Sequence, residues 1–345
     1  MAGGEGRPRG SGSGRLPLEE AMPARQRGPG ECAAIIDHGL EALGASRLWF
    51  EGRLRDLGIT LHPGSRLARG LRKLQDLERS ATAGDAIKFP SPVEGQRWFL
   101  DALGADFLCK AMHRGERGLT GFEDRWRSLK SGDPILTGPS ELQGKVTRPR
   151  DLSWELLLAS IVAHFAPVRK QEPDLVCTFN GMDIGLAAKV SYTGNEGQFL
   201  DQIQEGARQI ERQGVDAGFV VVNMVEHFPH ECMFKNFLDA GISDPRVLYE
   251  LVAGWGDAFL RPYPPPKWAR HLRGMSKLLS VMMFVPTILP LVGKSSVLPY
   301  YRIHTFGIEG REEQAYPFEQ ALQTACETLP GFLSGLHAAS RPLYS

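Results

Sequence analysis

Asp174 and Lys189 are the residues whose types and spacing point most directly to chemistry, because a turn between them can put an acid and an amine on one hairpin face. The chain reads PDLVCTF, then Asn180-Gly181, then MDIGLAAKVSY. Asn-Gly between two apolar runs is the strongest short hairpin signal, since both central residues of a type I′ turn need positive φ. With a two-residue loop the register follows by counting outward: Phe179 faces Met182, Thr178 faces Asp183, and Asp174 faces Ala187. One face then carries Asp174, Ala187 and Lys189, with opposed Cβ atoms about 4.5 to 5.5 Å apart and diagonal neighbours within reach of a shared ligand. An acid and a lysine so placed suit phosphoryl chemistry. The carboxylate can hold a divalent metal against a scissile phosphate, and the ammonium can position water or stabilise developing charge.

Pro173-Asp174, the hairpin and Lys189 together resemble the motif of the PD-(D/E)xK, or restriction-endonuclease-like, superfamily. That pattern is Pro-Asp, a hairpin, then an acid two residues before a lysine, inside an αβββαβ core. The resemblance covers roughly residues 151 to 224. It implies an α/β fold with this core, a metal site at Asp174, Mg2+ as the cofactor of an active enzyme, and DNA or RNA as ligand. The departure is Ala187, where the family has an acid. An alanine cannot ligate metal, and one carboxylate alone holds magnesium weakly against water. Three readings follow: an inactive site on a fold that binds nucleic acid or a protein partner, a carboxylate supplied from elsewhere, or a chance motif on another α/β fold.

Several residues are candidates for the missing acid. Glu172, in the same register, would face Lys189 and join Asp174 as a metal ligand, unless Pro173 ends the strand first. Asp183 has the right parity but lies four residues from Ala187, roughly 13 Å at strand rise. Gln198, Gln202, Glu205 and Gln209 share one helical face beside Phe199, Ile203 and Ile210. In the family the helix after the lysine often contributes a glutamine or an acid, which singles out Gln202 and Glu205; a solvated polar face is the competing reading. Glu155 is the only charged residue between Ser153 and Ala163. A charge on so apolar a helix needs a partner or a metal, and Arg169 or Lys170 would serve as partner. In VEHFPHEC, Glu226, His227, His230 and Cys232 could ligate zinc, but no second half-site accompanies them and Pro229 interrupts any helix. No Walker loop, GxGxxG after a strand or GxSxG elbow occurs.

These residues need elements to hold them. Residues 1–30 are rich in Gly, Arg, Pro and Ser and read as a disordered tail, with Met22 an alternative start. Residues 31–130 read as a helical domain, with AAIIDHGLEAL, SRLARGLRKLQDLE and EGQRWFLDALGADFLCKAM at helical spacing. Within it Leu67, Leu71, Leu74 and Leu77 form a stripe flanked by Arg66, Arg69, Arg72 and Lys73, read either as an ordinary solvated face or as a phosphate-contacting helix. Residues 131–150 read as a linker and 151–345 as the restriction-endonuclease-like α/β domain. There the order is helix, strands joined by a hairpin, helix, strand. The C-terminal third predicts a helix over KWARHLRGMSKLL, strands at SVMMFV and YYRIHTFGI, and a closing helix at PFEQALQTACETL. An ordered loop is expected at Tyr263-Pro264-Pro265-Pro266, near Trp255 and Trp268.

Composition bounds the partners. Forty basic and forty acidic side chains cancel, so any nucleic-acid binding must come from a local patch. Five scattered cysteines with no CxxC pair suit a reducing cytoplasm. The apolar stretch Leu278 to Gly293 is short for a bilayer and carries Pro286 and Pro290, so a buried strand and turn is expected, not a membrane segment. A protein partner remains compatible with all of this, and the sequence does not specify the oligomeric state.

Overall fold

The computed structural model describes residues 32–34, 41–83, 87–89, 92–130, 133–134, 148–192, 196–226, 247, 270–272, 274–291, 296–308 and 310–328. The tail up to residue 30, most of the expected linker, His227, His230, Cys232, Trp255, the proline run and Trp268 lie outside these residues.

The leucine stripe forms α2 (Arg66–Ala83), with Leu67, Leu71, Leu74 and Leu77 all buried. Ser65 caps its start by accepting the Ala68 N–H at 3.2 Å. α1 (Glu41–Asp56) and α2 both pack on α3 (Pro92–Gly115), which opens with the proline that the first helical position tolerates. The helix expected from Ala33 is not observed there. Cys32–Ala34 instead forms β1, antiparallel to β2 (Ile87–Phe89), and the described helix is Glu41–Asp56.

Among the described residues seven strands form one sheet in the order β3-β4-β5-β6-β7-β8-β9. They are β3 (Leu119–Thr120), β4 (Val168–Gln171), β5 (Asp174–Phe179), β6 (Met182–Val190), β7 (Ala217–Asn223), β8 (Leu278–Leu291) and β9 (Ser296–Gly307). The pairs β4-β5, β5-β6 and β8-β9 are antiparallel, and β3-β4, β6-β7 and β7-β8 are parallel. Between β3 and β4 come α4 (Glu123–Ser128) and α5 (Arg148–Val162); α6 (Glu196–Arg212) joins β6 to β7, and α7 (Glu312–Thr328) follows β9. The chain is therefore mixed α/β, and residues 148–223 run helix, three strands, helix, strand.

Strand alternation divides the sheet between two layers. Leu175, Cys177, Ile184, Leu186, Ala188, Phe219 and Val221 share one buried cluster with Phe50, Leu108, Trp126, Trp154 and Phe318. The helices before residue 130 are part of that same cluster, and β3 adds a strand to the sheet. The opposite sheet face carries Ala187 and Val220 beneath α6, where the spacing is set by glycine. A Cβ on Gly206 would lie 3.0 Å from Val220 Cγ2 and 3.1 Å from the Ala187 Cβ.

The C-terminal third departs from expectation at one element. Among the described residues of KWARHLRGMSKLL, Arg270–Leu272 form a single 3-10 turn, and Leu278 and Leu279 already belong to β8. Gly274, at φ 88°, turns the chain between them. Both prolines of the apolar run fall inside β8, past Phe284 where pairing with β7 stops. Proline cannot donate to a ladder on that side, so it fits where β9 is the remaining neighbour.

A chain of buried ion pairs links the layers. Arg66 pairs with Asp101 at 2.6 Å and with Asp133 at 3.0 Å. Arg150 meets the same Asp133 carboxylate at 3.1 Å and Glu226 at 2.7 Å. α2, α3, residue 133, α5 and the segment after β7 are thereby held through charges that water barely reaches.

Candidate functional site

The hairpin positions the site with the register counted from the sequence. Phe179 pairs with Met182, Thr178 with Asp183 and Leu175 with Leu186. Asn180 and Gly181 take φ of 50° and 78°, as a two-residue type I′ loop requires. One further step sets Asp174 opposite Ala187, with Lys189 on the same face of β6. The Lys189 Nζ lies 3.5 Å from Asp174 Oδ2 and donates to Gln209 Oε1 of α6 at 2.7 Å.

Asp174 also has a task within the sheet. Beyond Leu175 the β5-β6 ladder has no further pair, and Asp174 Oδ2 accepts the Ala188 N–H at 2.8 Å in its place. Burial pushes the Asp174 carboxyl up to about 7, against the lowering pull of Lys189, while the nearby Glu155 charge raises it further.

Pairing does not extend to Glu172, which corrects its expected place opposite Lys189. Glu172 and Pro173 form the tight turn between β4 and β5, joined by a cis peptide bond, and Glu172 is exposed. Its charge reaches Asp174 only as a minor raising influence. Glu205 is likewise outside the site: it is solvent-exposed beside Arg208 at 3.9 Å. Gln202 is half-buried and donates to the Val190 carbonyl at 3.0 Å, so it ties α6 to the end of β6. Its Oε1 meets no donor among the described residues. From the polar face of α6 the structure therefore selects Gln209, not Gln202 or Glu205, as the partner of Lys189.

Glu155 is buried on α5, and its partner is Arg125 of α4, whose Nε lies 2.6 Å from Oε2. Neither Arg169 nor Lys170 takes that role: Arg169 pairs with Asp183 and Lys170 with Asp124, each at 2.6 Å. Burial raises the Glu155 carboxyl above its usual range, opposed first by Arg125 and more weakly by Lys189 and Lys170.

Asp151 was not singled out by the sequence. It lies one helical turn before Glu155, accepts the Tyr192 hydroxyl at 2.9 Å, and is pushed up to about 6 by burial. The (i, i+4) spacing of two acids on an apolar helix was the available signal. Asp151 and Glu155 on α5, Asp174 on β5 and Lys189 on β6 thus share one electrostatic neighbourhood at the carboxyl end of β6. In open α/β sheets that is the usual side for ligands.

Among the described residues no three His, Cys, Asp or Glu side chains converge to hold a metal. Ala187 is fully buried beneath Gly206, and Glu155 is occupied by Arg125. What the arrangement does supply is a lysine held between a carboxylate and an amide, shielded by α6.

No helix among the described residues is long and apolar enough to cross a membrane. Comparison with protein-family models, curated proteins and solved structures finds no match to this chain.

Proposed function

We propose that this chain is a nucleic-acid-associated protein on a restriction-endonuclease-like core whose Asp174–Lys189 pair does not cleave. The observation that carries this reading is the pair itself. An acid after proline and a lysine across an Asn-Gly hairpin stand on one face, while the intervening position is an alanine closed over by α6. The order of elements over residues 148–223 supports the core. Lys189, turned to Asp174 and Gln209, is spent on internal contacts and not on a metal-bound phosphate.

A second reading has its own observation. Glu155 and Asp151 share the field of Asp174 and Lys189, so Glu155 is the acid that would complete an active Mg2+-dependent phosphodiesterase if Arg125 released it. Incubation of the pure chain with labelled DNA and RNA in millimolar magnesium or manganese separates the two. The non-cleaving reading expects intact nucleic acid together with salt-sensitive binding. Cleavage that disappears in Glu155→Gln and Asp174→Asn would instead establish the second reading. Loss of both binding and cleavage would point to a protein-binding scaffold on the same core.

A further inference from the structure

The outward face of α2 is rich in basic side chains. Opposite the buried leucines, Arg69, Arg72, Lys73, Asp76 and Arg79 follow one another at helical spacing. Together with Gln75 they line an open cavity of about 270 Å3. A second cavity of about 470 Å3, lined by Arg47 and Glu78 among others, adjoins it through the shared residues Gln75 and Arg79. The two make a groove along the helix.

Not every cation there is available to a ligand. Arg66 is buried in the ion-pair chain, and Lys73 is held by Asp101 at 2.6 Å. Arg72 differs in kind. Arg72 Nη2 donates to the Pro63 carbonyl at 2.9 Å, and Arg69 Nη1 donates to the Gly64 carbonyl at 2.6 Å. A carbonyl is a neutral acceptor, so the bond orients the Arg72 guanidinium without cancelling its charge, and the entropy of fixing that side chain is met before any ligand arrives. Arg72 and Arg79 are both exposed, and Asp76 at 3.4 Å from Arg79 is the one acid lining the smaller cavity.

We propose that this face of α2, centred on Arg72 and Arg79, is where the chain binds the phosphate backbone of a nucleic acid. The inference rests on the nucleic-acid reading above and places the contact away from the Asp174–Lys189 pair. Seven residues of helix separate the two arginines by about 10 Å along the axis, a span of about three phosphates at 3.4 Å of axial rise per strand residue. Contacts from guanidinium groups to phosphate position the nucleic acid without reading sequence, so binding is expected to be sequence-independent and salt-dependent.

The test is fluorescence anisotropy of the full chain with labelled duplex DNA and single-stranded RNA over a series of potassium chloride concentrations. Removing two phosphate contacts in Arg72→Gln/Arg79→Gln should weaken binding roughly tenfold and flatten the log–log salt slope by about 1.8 for duplex or about 1.4 for single strands. Asp76→Asn should tighten binding, which keeps the proposal open to failure if the double variant folds poorly. Arg208→Gln/Arg212→Gln on the exposed side of α6 should leave the slope unchanged. A wild-type chain that binds neither probe at low salt overturns the nucleic-acid reading and the groove together. Binding whose slope is the same in Arg72→Gln/Arg79→Gln overturns the groove alone. Anionic lipid vesicles bound more tightly than either nucleic acid, with the same dependence on Arg72 and Arg79, would also overturn it.

Discussion

Asp174 carries two demands that pull against each other. It replaces a ladder acceptor for Ala188, which any oxygen there could do, and it sits half-buried beside Lys189 with its carboxyl raised to about 7. A group whose folded value exceeds its unfolded value binds more protons when folded, so stability is greatest below the unfolded value of about 3.9 and is lost as pH rises through about 7. Asp174→Asn keeps an acceptor and removes the ionisation. Its stability relative to wild type should therefore rise between about pH 4 and about pH 8, by an amount on the order of a few kcal/mol, in urea unfolding at the two pH values. A constant difference would mean that Asp174 does not titrate there. Position 187 makes a second prediction. Supplying an acid there as Ala187→Glu places a charge under Gly206, where even a Cβ built on the glycine would lie 3.1 Å from that of Ala187. The expected result is a loss of about 3 kcal/mol or more by denaturant unfolding and no gain of magnesium-dependent cleavage. At this scale the sequence made the Asp174, Ala187 and Lys189 face legible, because an Asn-Gly loop fixes register by counting. It could not show that Arg125 partners Glu155, since that contact spans 30 residues and depends on how α4 lies across α5.

At the scale of elements, α6 decides what the hairpin face can do. Its glycine brings the helix close to β6 and β7, and the same approach carries Gln209 to Lys189 and Gln202 to the Val190 carbonyl. Gly206→Ala adds a methyl group 3.0 Å from Val220 and 3.1 Å from Ala187. The gain in helix propensity, about 1 kcal/mol, is smaller than the overpacking cost of about 1 to 3 kcal/mol in a tight core. A net destabilisation is expected in chemical unfolding, and a net stabilisation would show that α6 can lift without penalty. The amphipathic α6 and α2 were readable from spacing alone. The stretch from Trp268 to Leu279 was not: its apolar residues fit a helical period, yet Leu278 and Leu279 join β8, whose pairing with β7 and β9 no local pattern announces. Pro286 and Pro290, read from the sequence as marking a turn, lie inside β8 instead, where β9 is the remaining neighbour.

For the whole molecule, the question is whether the helices before residue 130 fold apart from the sheet or with it. The sequence suggested separate units, from the change in composition around residues 131–150. In the structure Leu108 and Trp126 lie in the same buried cluster as Trp154 and Leu186, Phe107 stacks on Phe284 at 6.4 Å, and β3 extends the sheet through β4. The ion-pair chain adds a link that is charged at every step, from Asp101 through Arg66 and Asp133 to Arg150 and Glu226. Such a chain need not stabilise more than apolar packing would, because desolvating its members offsets their attraction. Breaking it is a different matter. Asp133→Ala leaves Arg66 and Arg150, both almost fully buried, without the carboxylate that they share. A loss of about 1 to 3 kcal/mol is expected, because Arg66 keeps Asp101 and Arg150 keeps Glu226 as partners. Because Asp133 lies between the two layers, its loss should lower one transition, seen at the same denaturant concentration by far-ultraviolet circular dichroism and by tryptophan fluorescence. Two separated transitions, with only the earlier one shifted, would show instead that the helices unfold as their own unit and that the shared core contributes little to holding them on the sheet.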